Sequence, residues 1–146
     1  LGVMGEENTF RVTKSVHIPL DEEFYRNLIE SMEEGVIVQD ANGHVVAFNT
    51  SLLRILGLSE EDLKRRVAIG LPWRAIYEDG TPYTPEEQPS SVTLRTGLRL
   101  SGVTMGIMRT SGTTVWVSVN SRPLQRAGEK PYGVMCTFTD LSLIHI

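Results

Sequence analysis

The chain has a single cysteine, Cys136, so no disulfide can close within it. Its three histidines, His17, His44 and His145, are scattered and form no spaced metal-ligand set with that cysteine. Basic runs are also missing. Lys64-Arg65-Arg66 is the one cluster, it reads as a solvated helix end, and a net charge of -4 argues against a nucleic-acid surface. No apolar run approaches the roughly twenty residues needed to span a bilayer, and the first residues lack a signal-peptide pattern. The expectation is a cytoplasmic chain with no membrane contact of its own. There is no phosphate-cradling glycine loop, no nucleophile elbow and no helical His-Glu-x-x-His, so an enzyme reading has nothing to rest on. What remains is an ordinary globular composition, 40% hydrophobic and 22% charged, in 146 residues, which suits one domain with one substantial core.

The stretch 35–57 organises that domain. Two β-branched runs, 36–39 and 45–48, flank Asn42-Gly43, the pair that supplies both positive-φ positions of a type I′ hairpin turn. Asn49 then stands at a helix N-cap, Leu52, Leu53 and Leu56 recur at helical spacing, and Gly57 fits a left-handed helix end. Upstream, residues 1–19 read as a linker or edge segment. Residues 20–34 form an amphipathic helix, with Asp21 as N-cap, Leu20 positioned to staple onto Tyr25, and Phe24, Leu28 and Met32 on one apolar face. Downstream, Ser59 and Asp62 open a short helix to residue 66. The breakers Gly70, Pro72, Gly80 and Pro82 favour loop over 67–84, with Trp73, Ile76 and Tyr77 available to tuck it onto the core. A turn at 85–88 precedes a helix over 89–96 that stops at Gly97. The last third alternates as three strands, 99–109, 114–124 and 131–141. Two strands, a block of short helices and three strands make an α+β sheet with its helices on one face.

That order, with Val-Ile-Val-Gln-Asp-Ala-Asn-Gly, the Phe48-Asn49 step into the helix and the closing Thr139-Asp140-Leu141-Ser142, resembles a PAS sensor domain of the kind found in bacterial sensor histidine kinases and cyclic-dinucleotide signalling proteins. The resemblance covers about residues 21–142. It implies a five-stranded antiparallel sheet in the order 2-1-5-4-3 with short helices on one face, divided as a 20–34 cap helix, a 35–142 core and an exit linker from 143. It also implies a sensory, dimerising module that passes a signal to a downstream output domain of the same polypeptide. A purely structural homodimerisation module is the alternative.

Aligned on flavin-binding members of the family, the last three strands turn Val103, Met105, Ile107, Val117, Val119, Ser121, Val134, Cys136 and Phe138 toward the helices. Of these, Met105, Ile107, Val117, Val119, Ser121, Cys136 and Phe138 are the candidate pocket lining. The positions that would hold a flavin edge are Ile107, Val117 and Phe138, and all three lack an amide, which disfavours flavin. The 85–97 stretch has no histidine to serve as a haem ligand. A packed core is the leading expectation, with a small apolar or aromatic ligand as the alternative. The opposite face carries Met108, Trp116 and Met135, which the 21–34 helix is expected to cover in a homodimer contact involving Phe24, Leu28 and Met32. Asp140 and Arg109 form a candidate relay pair across one intervening strand. Asp40 and His44, at the hairpin, read as a surface polar pair, and Cys136 as a small buried hydrophobe.

Overall fold

The computed structural model of the chain describes residues 19–68 and 73–143. The expected 1–19 segment, Pro19 apart, and the exit linker beyond residue 143 lie outside the described residues. Helix α1 (Glu22–Glu30) starts where Asp21 Oδ1 accepts the Phe24 N–H at 3.0 Å, and it stops at Ser31, three residues before the expected end. None of its residues is buried. The expected staple is not seated, since Leu20 and Tyr25 are each about half exposed.

Strands β1 (Gly35–Asp40) and β2 (Val45–Phe48) form the expected hairpin, but its turn is not type I′. Only Gly43 has a positive φ, at 85°, and Asn42 does not. The Gly43 N–H donates to the Asp40 carbonyl at 2.9 Å and the Asp40 N–H to the His44 carbonyl at 2.9 Å, the pattern of a three-residue loop that closes on a left-handed glycine. The same closure recurs at Tyr77–Thr81 with Gly80 and at Arg109–Thr113 with Gly112.

Helices α2 (Thr50–Leu56) and α3 (Glu60–Ala68) follow, then β3 (Arg74–Ile76), a 3-10 turn (Pro85–Glu87), α4 (Pro89–Thr96), and the long strands β4 (Leu100–Met108), β5 (Thr114–Leu124) and β6 (Gly133–Asp140). The sheet is antiparallel in the order β2-β1-β6-β5-β4-β3, so it has six strands where five were expected. The added strand lies in the stretch read as loop. Three residues pair Arg74↔Met108 to Ile76↔Gly106 and cover part of the β4 edge, a pairing set by β4 and not by local propensity. With β3 set aside, the expected 2-1-5-4-3 order is the observed one.

The core lies between one sheet face and α2 and α3. Leu52, Ile55, Leu56 and Leu63 meet Ile37, Met105, Ile107, Val117, Val119, Val134, Cys136 and Phe138, all buried. Full burial of each aliphatic side chain contributes roughly 1.5–3 kcal/mol, so this cluster supplies the main driving force. On the opposite face, α1 does not form the expected buried layer. Gly106 makes the room there instead: a Cβ at that position would stand 2.9 Å from the Trp116 ring and from Ile76 Cγ1, so the half-buried indole packs against the glycine.

One polar group is completely enclosed and completely used. Asn49, 1% exposed, accepts from the Val36 N–H (2.9 Å) and the Leu52 N–H (3.0 Å) and donates from Nδ2 to the carbonyls of Ile29 and Glu34 (2.9 Å each). It is both the N-cap of α2 and the bolt that holds α1 and β1 to it. Replacing it by Ala orphans two amide hydrogens and two carbonyls at once, and each such loss costs about 1–3 kcal/mol where water cannot enter. Urea unfolding of Asn49→Ala is expected to show a loss of at least about 3 kcal/mol, and a loss below about 1 kcal/mol would mean that water replaces the carboxamide.

Candidate functional site

Three prolines shape the site. Pro82, Pro85 and Pro89 each lack the N–H that a continuing helix or strand would use, so the chain between β3 and α4 bridges the sheet in short steps. Glu87 Oε1 accepts the Thr84 N–H at 3.0 Å and closes the 3-10 turn, Pro89 occupies the first position of α4, and Ser121 Oγ donates to the Pro89 carbonyl at 3.2 Å, fastening the helix start to β5. Beneath this bridge Met105, Val119, Cys136 and Phe138 stay 1–3% exposed, and the packed core that the sequence led us to expect opens only at its side. A cleft of about 490 Å³ opens between the inner face of the sheet, β3 and the start of α4, a size in the range of small-molecule sites.

The floor of the cleft carries Met105, Val119, Cys136 and Phe138, four of the seven residues read as pocket lining. Ile107, Val117 and Ser121 are buried in the adjoining core and do not line it. Trp73 stands edge-on to Phe138, with ring centroids 5.8 Å apart and planes at 90°. The walls add Ile37 and Gln39 from β1, Ala75 from β3, Tyr83, and Gln88 and Ser91 at the start of α4. The sequence reading missed these. Gln39 did carry a signal: it shares the inward parity of Ile37, and a polar residue at an inward strand position needs a reason. Tyr83 is held by stacking on Tyr77, with centroids 3.9 Å apart, and by donating its hydroxyl to the Thr104 carbonyl at 3.3 Å.

The electrostatics are those of a dry floor. Burial pushes the Cys136 thiol up to about 11, the opposing hydrogen bond to Ser121 Oγ (3.5 Å) being the smaller effect, so the group is a neutral thiol at physiological pH. Ser121 is fully buried and satisfied through Pro89. The one buried side-chain oxygen without a partner among the described residues is Thr93 Oγ1, on the sheet-facing side of α4.

The other candidates fall elsewhere. Asp40 and His44 meet at 3.5 Å on the exposed hairpin, where the carboxyl lies below its usual range, first because it accepts the His44 backbone N–H; they are a turn pair. Arg109 and Asp140 are not brought together. Asp140 is level with Val117, which is level with Met105, so Arg109 lies four residues further along the sheet, about 13 Å at strand rise. Arg109 instead donates from Nε and Nη2 to the Ile55 carbonyl (3.0 and 2.8 Å), a cation on the negative end of α2. Asp140 Oδ1 accepts from the Ser142 N–H and hydroxyl (2.9 and 2.7 Å) and fixes the turn Leu141–Leu143 where the chain leaves the sheet. Of the residues read as an interface, Leu28 is 45% exposed, while Phe24, Met32, Trp116 and Met135 are half-buried.

The same architecture occurs in known proteins. A sensory-box histidine kinase/response regulator domain from Geobacter sulfurreducens superposes with a TM-score of 0.54 at 17% identity, covering 83% of this chain and 98% of that one. A PAS domain from Colwellia psychrerythraea gives 0.56 at 11% identity, covering 84% and 98%. A LOV protein from Rhodobacter sphaeroides gives 0.54 at 13% identity, covering 84% and 69%. Identities this low show the fold alone, and no curated protein matches the chain by sequence. The family profile described as PAS domain, however, matches residues 33–142. With that match spanning most of the chain and the sheet in the family's order, the chain belongs to the PAS domain family.

Proposed function

We propose that this PAS domain is a non-catalytic sensory module that takes a small, largely apolar molecule into the cleft and passes its occupancy to a downstream output domain of the same polypeptide. An open cleft of about 490 Å³ beside the buried core carries the reading. A concave, largely apolar lining of this size suits a small molecule, which would displace water from it. A flavin of the light-sensing kind is disfavoured, because the matching positions are Ile107, Val117 and Phe138, and so is haem, because α4 offers no histidine. For the relay, the chain leaves the sheet at Asp140, and Thr139 Oγ1 contacts Glu34 Oε2 at 3.4 Å, so the α1 junction and the exit share one corner of the domain. Solvation of a pocket-lined strand end at that corner is a short path from ligand to linker.

Two measurements test the binding. Native mass spectrometry of freshly purified protein should show a retained small molecule. Labelling of Cys136 with a small methanethiosulfonate should be on the order of a hundredfold slower at neutral pH than for an unperturbed thiol, rise about tenfold per pH unit up to its raised pKa, and slow further when the cleft is filled. Labelling at the rate of the unfolded chain, unaffected by any small molecule, would favour a purely structural module.

The module also works as a homodimer, in this reading, through α1 and the outer sheet face. Tyr25 and Leu28 are each 45% exposed on a helix with no fully buried residue in one chain, and the outer sheet face carries the half-buried Trp116 and Met135. Light scattering should therefore give a dimer for the native chain and a monomer for Leu28→Asp, with the melting temperature of the isolated protomer little changed. A dimer that persists in Leu28→Asp would move the interface elsewhere.

A further inference from the structure

The polar groups of the cleft are unevenly satisfied, and this asymmetry specifies what the guest must carry. The polar side chain of the floor is matched: the Cys136 thiol donates to Ser121 Oγ in the adjoining core, and Ser121 donates to the Pro89 carbonyl. At the wall Gln39 is half used. Its Nε2 donates to the Gly43 carbonyl at 2.8 Å, which fixes the orientation of the amide, since the flipped form would set two oxygens against each other. Oε1 is then an acceptor with no partner among the described residues, on a side chain that lines the cleft; Gln88, Ser90 and Ser91 line it too, but their side chains can donate as well as accept, whereas the anchored Gln39 offers the cleft an oxygen only. Among the described residues no carboxylate lines the cleft, and the sole charged lining residue is Arg74, exposed at the β3 edge.

We infer that the cleft selects an uncharged, flat, largely apolar molecule bearing one N–H or O–H donor, and that Gln39 Oε1 is the group that reads this donor. The assignment rests on the ligand-binding reading above. The flat body fits the dry floor and the Trp73–Phe138 edge-to-face pair. An anion is disfavoured at the Gln39 end, where it would face an oxygen, and would have to reach out to Arg74 for a counter-charge. A ligand lacking the donor would bury Oε1 unpaired, and selectivity built on a hydrogen bond is steep for that reason.

The test uses three molecules with one flat ring system on the intact chain: 2-naphthol, its methyl ether and 2-naphthoate, titrated at neutral pH by calorimetry. Naphthol is expected to bind about tenfold more tightly than the ether, the worth of one neutral hydrogen bond. Gln39→Leu should abolish that preference while still binding the ether. Ether binding by Gln39→Leu at native affinity shows that the cleft survives loss of the Gly43 anchor, so that the lost preference reads the acceptor alone. Equal binding of naphthol and ether by the native chain, or a preference that survives Gln39→Leu, overturns the role of Gln39. Naphthoate binding best overturns the uncharged guest and leaves the ligand-binding reading standing, with Arg74 as the recognising group. Failure of all three to bind overturns this assignment and the ligand-binding reading together.

Discussion

The fold hangs on one carboxamide. Asn49, 1% exposed, spends both lone pairs and both hydrogens on four backbone groups, one each from α1, the 31–34 connection, β1 and α2. Neighbouring bonds lean on the same junction. The Thr50 N–H donates to Glu30 Oε1, Ser51 Oγ to the Met32 carbonyl, and Arg54 to the Glu33 carbonyl, so the whole 29–34 connection is laid against the start of α2. A helix N-terminus has unpaired amide hydrogens and the end of α1 has unpaired carbonyls. Here each is turned toward the other's remedy, and the angle at which α1 leaves the core follows from that match rather than from apolar packing.

The cleft follows from a different constraint. Three prolines and a 3-10 turn carry the chain from β3 to α4 faster than a regular helix could, and the single bond from Ser121 to Pro89 sets where α4 begins. The sheet beneath is continuous, so what is missing is cover rather than floor. That is why the lining divides into matched polar groups below and open ones at the side.

Most of the sheet could be read from residue order because alternation in the last three strands is unambiguous: Val117, Val119 and Ser121 are buried where Trp116, Ser118 and Asn120 are not. Caps were equally legible. Asp21, Asn49, Gly57 and Gly97 act as their chemistry predicts. What failed were inferences across space. Strand β3 exists because β4 offers it an edge, and three residues among glycines and prolines carry no periodic pattern. Arg109 was paired with Asp140 on a shared face without the register that separates them by four positions. The Asn42-Gly43 pair suggested two left-handed residues, whereas Asp40 Oδ1, accepting from both the Asn42 and His44 amides, stabilises the three-residue loop instead. The cleft itself could not be read, because a void is a property of how segments bridge and not of any residue in them.

The antiparallel register of β1 and β6 has a mechanical meaning. Gly35 is level with Phe138 and Asp40 with Gly133, so the chain comes into the core and leaves it at the same end of one strand pair. A pull between α1 and the exit turn therefore loads the rungs of this ladder one after another, as a zipper is opened, and never in shear. Hydrogen bonds broken singly yield at far lower force than bonds broken together. The first rung to part is the one that holds Phe138, whose side chain lies on the floor of the cleft, so a small tug at the linkers and a molecule in the cleft act on the same few atoms.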